Sequence, residues 1–305
     1  MKYLFLSLII FTAGCNSDQT KSPIQAQAKQ STSLGATQAN KQLNLTILLD
    51  LSDRIDPKKF PENPEHYARD SALINYFTDY FLQQLKAKGT YLSKGKMRVI
   101  FHPTPEDANI NTEASKLNID LSKMNSKDKK TIFDSLKNTV SKSIGYIYNT
   151  AITKAVWPGS DIWRFFKNDI RDIAIDTDSS YRNLLIIFTD GYIYHADSKI
   201  KEGNRYSYIT PELFDTYKLR NDNQWVNKID KLDFGLITKR TDLSNLEVLV
   251  LEITPTPKHK NDEDIIGKVL DKWFREMQVK RWKVFNSDLP QTTKQKLEPF
   301  LSNPD

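Results

Sequence analysis

Cysteine is nearly absent from this chain: Cys15 is the only one. No intramolecular disulfide can form, and a structural zinc site built on thiolates is excluded. Histidine is sparse as well. His66, His102, His195 and His259 fall on separate segments and show no metal-ligand spacing. Long apolar runs are missing after the first dozen residues, so membrane association has to come from the N-terminus. A clustered basic face is missing too. The 44 Lys and Arg against 38 Asp and Glu leave a net charge of +6, spread through mixed-sign runs such as KNDIRDIAIDTD, which argues against nucleic-acid binding. The chain has no internal repeat, no Gly-x-Ser-x-Gly elbow and no P-loop.

What is present starts with MKYLFLSLIIFTAGC, in which Lys2 precedes an apolar stretch from Tyr3 to Phe11 and small residues lead up to Cys15. This reads as a signal peptide over residues 1–15, too short to be a spanning helix. It resembles a bacterial lipoprotein leader, with Thr12 standing where that leader prefers Leu. The resemblance implies cleavage before Cys15, a diacylglycerol on its sulfur, and a membrane-anchored protein of the cell envelope, with Asn16 favouring the outer membrane. Residues 16–41 are rich in Gln, Ser, Thr, Ala and Lys and lack aromatics. They cannot bury enough surface to offset their chain entropy and read as a flexible linker. The folded domain is expected over 42–305.

Within it, apolar strands alternate with amphipathic helices. Strands are expected at 43–50, 97–103, 116–124, 182–191, 246–254 and 280–286, the third short and polar as an edge strand would be. Leu73, Phe77, Phe81 and Leu85 repeat at helical spacing over 67–85. Further helices are expected from Ser126, whose hydroxyl suits a cap, through Ile144, and over 161–173, 262–277 and 291–301. Such alternation implies a three-layer α/β sheet, mostly parallel, with helices on both faces.

Two of these strands end in an acid, Asp50 in LNLTILLD and Asp190 in RNLLIIFTDG. In a parallel sheet, ligands bind beyond the C-terminal strand ends. Two carboxylates brought together there repel unless a cation, a proton or a basic side chain lies between them. With only oxygen donors at hand, the favoured ion is hard: Mg²⁺, Mn²⁺ or Ca²⁺.

These residues carry a family resemblance. Asp50, Ser52 and the position of Arg54 resemble the D-x-S-x-S motif of von Willebrand factor type A domains. FTDG resembles their second acidic motif, and PGSDIWRFF is similar to their third loop, with Ser160 in the hydroxyl position. The resemblance covers about residues 43–285. It implies a doubly wound, Rossmann-like six-stranded fold that works as a non-enzymatic binding module. Its metal-ion-dependent adhesion site would be formed by Asp50, Ser52, Ser160 and Asp190, and a partner protein's acidic residue would complete the ion's coordination.

Arg54 departs from the motif, because a guanidinium has no acceptor for a cation. Either Asp53 or water fills the position, or Arg54 folds onto Asp50 or Asp190 and replaces the ion in a metal-free envelope scaffold. Asp161 beside Ser160 is a further candidate modulator. A metal-assisted, phosphatase-like hydrolase is the alternative from another functional class. The long segment after Asp190 carries Tyr192, Tyr194 and His195 as candidate partner contacts, and a hairpin is expected in it.

Overall fold

Strand β1 (Gln42–Leu49) is buried along nearly its whole length, on both faces. Leu43, Leu45, Ile47 and Leu49 point into one apolar cluster, while Leu48 points into the other. That double burial fixes β1 in the middle of a sheet, as its apolar run implies. The computed structural model describes residues 41–155, 157–256, 258–259 and 261–303. The expected leader with its candidate lipidation residue Cys15, and all but the last residue of the expected linker, lie outside the described residues.

The remaining elements, in chain order, are α1 (His66–Leu92), β2 (Lys96–Phe101), α2 (Ala108–Ser115), β3 (Ile119–Asp120) and α3 (Ser126–Lys154). Helix α4 runs through Ile162–Arg164, a π-type turn Phe165–Asp169, and Ile170–Ala174. Then come β4 (Tyr181–Phe188), β5 (Lys201–Glu202), β6 (Arg205–Tyr206), α5 (Pro211–Thr216), α6 (Trp225–Lys231) and β7 (Gly235–Leu236). The chain continues with β8 (Leu246–Ile253), α7 (Asp262–Glu276), β9 (Arg281–Asn286) and α8 (Pro290–Ser302).

The main sheet has six strands in the order β3-β2-β1-β4-β8-β9. It is mixed: β2, β1, β4, β8 and β9 run parallel, and β3 pairs antiparallel at the edge. Helices α1, α3 and α8 supply the cluster on one face, including Leu73, Phe77, Phe81, Leu136 and Leu297. Helices α4 and α7 supply the other with Phe165, Phe166, Ile266 and Trp273. Each fully buried Leu or Phe contributes roughly 1.5–3 kcal/mol, so the two helical layers are held chiefly by these contacts. Strand order reverses between β1 and β4, which opens a crevice at their C-terminal ends.

Three expectations are corrected. Helix α3 is capped by the Asn125 side chain, which accepts from Asp128 N at 3.0 Å, so Ser126 is its first residue and not its cap. It also runs on past Ile144, because Ile147, Tyr148 and Ala151 continue the buried stripe. The third strand, expected over 116–124, is two residues long. The Asp120 carboxylate accepts from Ser122 N at 3.0 Å and turns the chain out of the sheet. Beyond these, residues 201–236 contribute a three-stranded sheet, β5-β6-β7, in which β5 and β6 form the hairpin expected after Asp190. Among the described residues, no helix is long and apolar enough to cross a membrane.

Candidate metal centre

Leu49 pairs with Phe188, and Asp50 N donates to Phe188 O at 3.0 Å, so Asp50 and the Thr189-Asp190 pair leave the sheet side by side. Asp50 is 2% exposed. One carboxylate oxygen accepts from Ser52 N at 2.8 Å and the other from the Thr189 hydroxyl at 2.9 Å. The first bond makes the tight turn that swings Ser52 over the strand end and leads into a 3-10 turn, Asp53–Ile55. The Asp190 carboxylate accepts from Tyr192 N at 2.9 Å. Burial and the neighbouring Asp50 push the Asp190 pKa up to about 8, with Asp53 adding to the effect and Arg54 opposing it. Among the described residues, neither Asp50 nor Asp190 is ion-paired.

Ser160 arrives from the loop before α4. Its N–H donates to Tyr194 O at 2.9 Å in an isolated antiparallel bridge. Gly159 makes the approach feasible: its φ is +80°, and a Cβ there would lie 2.6 Å from Tyr194 O. Ser160 is 2% exposed, and its hydroxyl has no hydrogen-bond partner among the described residues. A buried hydroxyl without a partner carries a desolvation cost that a ligand atom would relieve.

Arg54 turns away from both site acids. It is 2% exposed; its Nε donates to the Asp50 main-chain carbonyl at 3.1 Å and its guanidinium meets Asp70 of α1 at 2.5 Å. Tyr148 of α3 donates to the same Asp70 oxygen at 2.7 Å. A second buried pair lies alongside, Arg69 to Glu252 at 2.8 Å, with Ser287 donating to Glu252 at 3.0 Å. His66 Nδ1 faces Arg69 at 2.8 Å, and burial plus the two guanidiniums depress its pKa to about 3. Both arginines are therefore matched by buried acids below the site, and among the described residues neither Asp50 nor Asp190 gains an ion pair from them.

Of the other sequence candidates, Asp53 pairs with Lys59 at 3.0 Å near the surface. Asp161 caps α4 through Arg164 N, accepts the Ser198 hydroxyl and lies 3.7 Å from His195 Nδ1, so it is committed to holding loops. Tyr192 is half-buried and donates to Asp262 at 2.8 Å, while Tyr194 is 42% exposed. Both line a cleft of about 490 Å³ beside Asp190, together with Phe60, Pro211 and Thr254. His195 is not among the residues that line it.

The residue set fits a hard divalent cation: two unpaired carboxylates, one buried hydroxyl without a partner and the Ser52 hydroxyl, all oxygen donors. Among the described residues, no group of three or more His, Cys, Asp or Glu could hold a metal. Sequence reasoning missed Thr189, Asp70 and Glu252. Asp70 was detectable, since Arg69 and Asp70 occupy positions of the α1 stripe four residues before Leu73 and Ile74. Glu252 breaks an otherwise apolar strand end in the same way. No protein-family model matches the chain, and no curated protein matches its sequence.

Proposed function

We propose that this chain is an exported, lipid-anchored von Willebrand factor A-like binding module, with a doubly wound fold, that recognises a partner protein through a divalent ion. The observation that carries the reading is the pair Asp50 and Asp190 at the tips of adjacent central strands, neither ion-paired among the described residues, together with a buried Ser160 hydroxyl that has no partner there. Asp50, Ser52, Ser160 and Asp190 would hold the ion, which when bound supplies a positive pole for an acidic side chain of the partner. Asp50 is already fixed by two hydrogen bonds and Ser160 by its bridge to Tyr194, so the donors are pre-positioned. The cleft lined by Tyr192 and Tyr194 lies next to Asp190, where residues flanking that acid would rest.

The metal-free scaffold reading needs Arg54 on one of the site acids; its pairing with Asp70 weighs against this. The hydrolase reading has no separate observation in its favour. The test is calorimetric titration of Mg²⁺ and Mn²⁺, with Asp190→Ala as control. Saturable binding lost in the variant supports the adhesion site, and its absence at millimolar ion rejects it.

A further inference from the structure

Strand β2 is paired on one side along its whole length and on the other only at its start. β1 covers Lys96 through Phe101, whereas β3 reaches only Lys96 and Met97. Leu121 N donates to Gly95 O at 3.1 Å, so Gly95 turns its backbone groups to the β3 side. Backbone direction alternates along a strand, so Met97, Val99 and Phe101 turn theirs the same way. Met97 meets Ile119. Among the described residues, Val99 and Phe101 have no strand opposite, and their N–H and C=O groups face a groove of about 800 Å³.

The groove has α2 on one side, with Asn111, Ala114 and Ser115, and α4 on the other, with Phe165, Asp169 and Asp172; Arg98 and Lys123 line it as well, but Arg98 donates to Ile173 O and Lys123 lies 3.8 Å from Asp120. Unpaired edge groups are a template for an added strand. A second folded copy cannot use them, because its own β2 edge lies at the floor of the same groove between two helices. Only a single extended segment fits. Its side chains alternate between the walls: small ones suit Ala114 and Ser115, and cationic ones with apolar stems suit Phe165 and the two acids. Asp172 is exposed and, among the described residues, without a partner, while Asp169 faces His102 at 2.9 Å.

We propose that the open half of the β2 edge is a docking site for an extended segment of a partner polypeptide bearing Lys or Arg at alternate positions. It adds a strand beside Val99 and Phe101 and is independent of the ion site.

The test uses the full chain and a fluorescein-labelled peptide, Thr-Lys-Ser-Lys-Ser-Lys-Thr, at low salt. Two companion peptides carry N-methyl groups on alternate amides, one in each phase. Strand addition predicts saturable binding, loss of binding for one methylated phase only, and amide exchange at Val99 and Phe101 slowed by roughly tenfold or more. Asp172→Lys, at an exposed position, weakens binding by roughly fivefold. The proposal is overturned by absence of saturable binding at millimolar peptide, by equal binding of the two methylated phases, or by binding that leaves both amides unprotected.

Discussion

Replacing Arg54 by Met removes a cation from the most tightly matched pair below the site. Arg54 and Asp70 have side chains 1% and 0% exposed and meet at 2.5 Å. The substitution leaves Asp70 with only the Tyr148 hydroxyl and frees the Asp50 carbonyl of its Nε donor. Removing one partner of a buried pair costs about 3–5 kcal/mol, because the other charge stays desolvated. At about 2–4 °C per kcal/mol for a domain of this size, the melting temperature falls by roughly 10 °C. Neutralising the survivor as well, in Arg54→Met/Asp70→Asn, keeps an acceptor for Tyr148 and recovers more than half of the loss. Urea denaturation of both variants, with the denaturant slope unchanged, gives the two numbers. A loss below about 1 kcal/mol for Arg54→Met, the scale of an exposed pair, refutes the reasoning. So does a double variant no more stable than the single.

Four other outcomes follow from the site. Asp190 has a folded pKa above its unfolded value, so the ion-free domain loses stability as pH rises from about 4 to about 8, by up to about 1.4 kcal/mol per pH unit; Asp190→Asn removes that fall in pH-dependent urea titrations. His66 has the opposite sign: its depressed pKa means stability is lost as pH falls below about 6.5, and its ring shows no NMR titration between pH 5 and 8. Ser160→Ala leaves ion-free stability unchanged or slightly raised, since the buried hydroxyl has no partner, but weakens Mn²⁺ binding in calorimetry. Gly159→Ala, which forces a Cβ onto Tyr194 O at positive φ, costs about 2 kcal/mol and loosens the Ser160 bridge, read as faster amide exchange at Ser160.

The elements that position the site were legible because each carries a strong local period or an apolar run closed by an acid. β1 with Asp50 and β4 with Asp190 are the clearest cases, and their adjacency makes the two acids converge. β3 was overextended because its alternation is weak and a single side-chain turn at Asp120 ends it, which no period reports. The strands of 201–236 are two residues long, too short for any pattern. Arg54 shows the limit for side chains. Its local neighbours, Asp50 and Asp53, suggested a fold-back onto the site, whereas its partner lies 16 residues on, on a helix face that reads as core. The charged Arg69 and Asp70 within that apolar stripe were the sign that buried counter-charges were needed there.

The matched arginines below the site and the acids at the strand tips, which no described residue ion-pairs, belong to one electrostatic arrangement, and the central claim is that this arrangement binds a divalent ion. The most direct measurement is calorimetric titration of Mg²⁺ and Mn²⁺ into the chain from residue 41 onward, in parallel with Asp190→Ala and Ser160→Ala. The account predicts one saturable site, abolished in the first variant and weakened in the second. Absence of binding at millimolar ion, or binding that neither substitution changes, contradicts it.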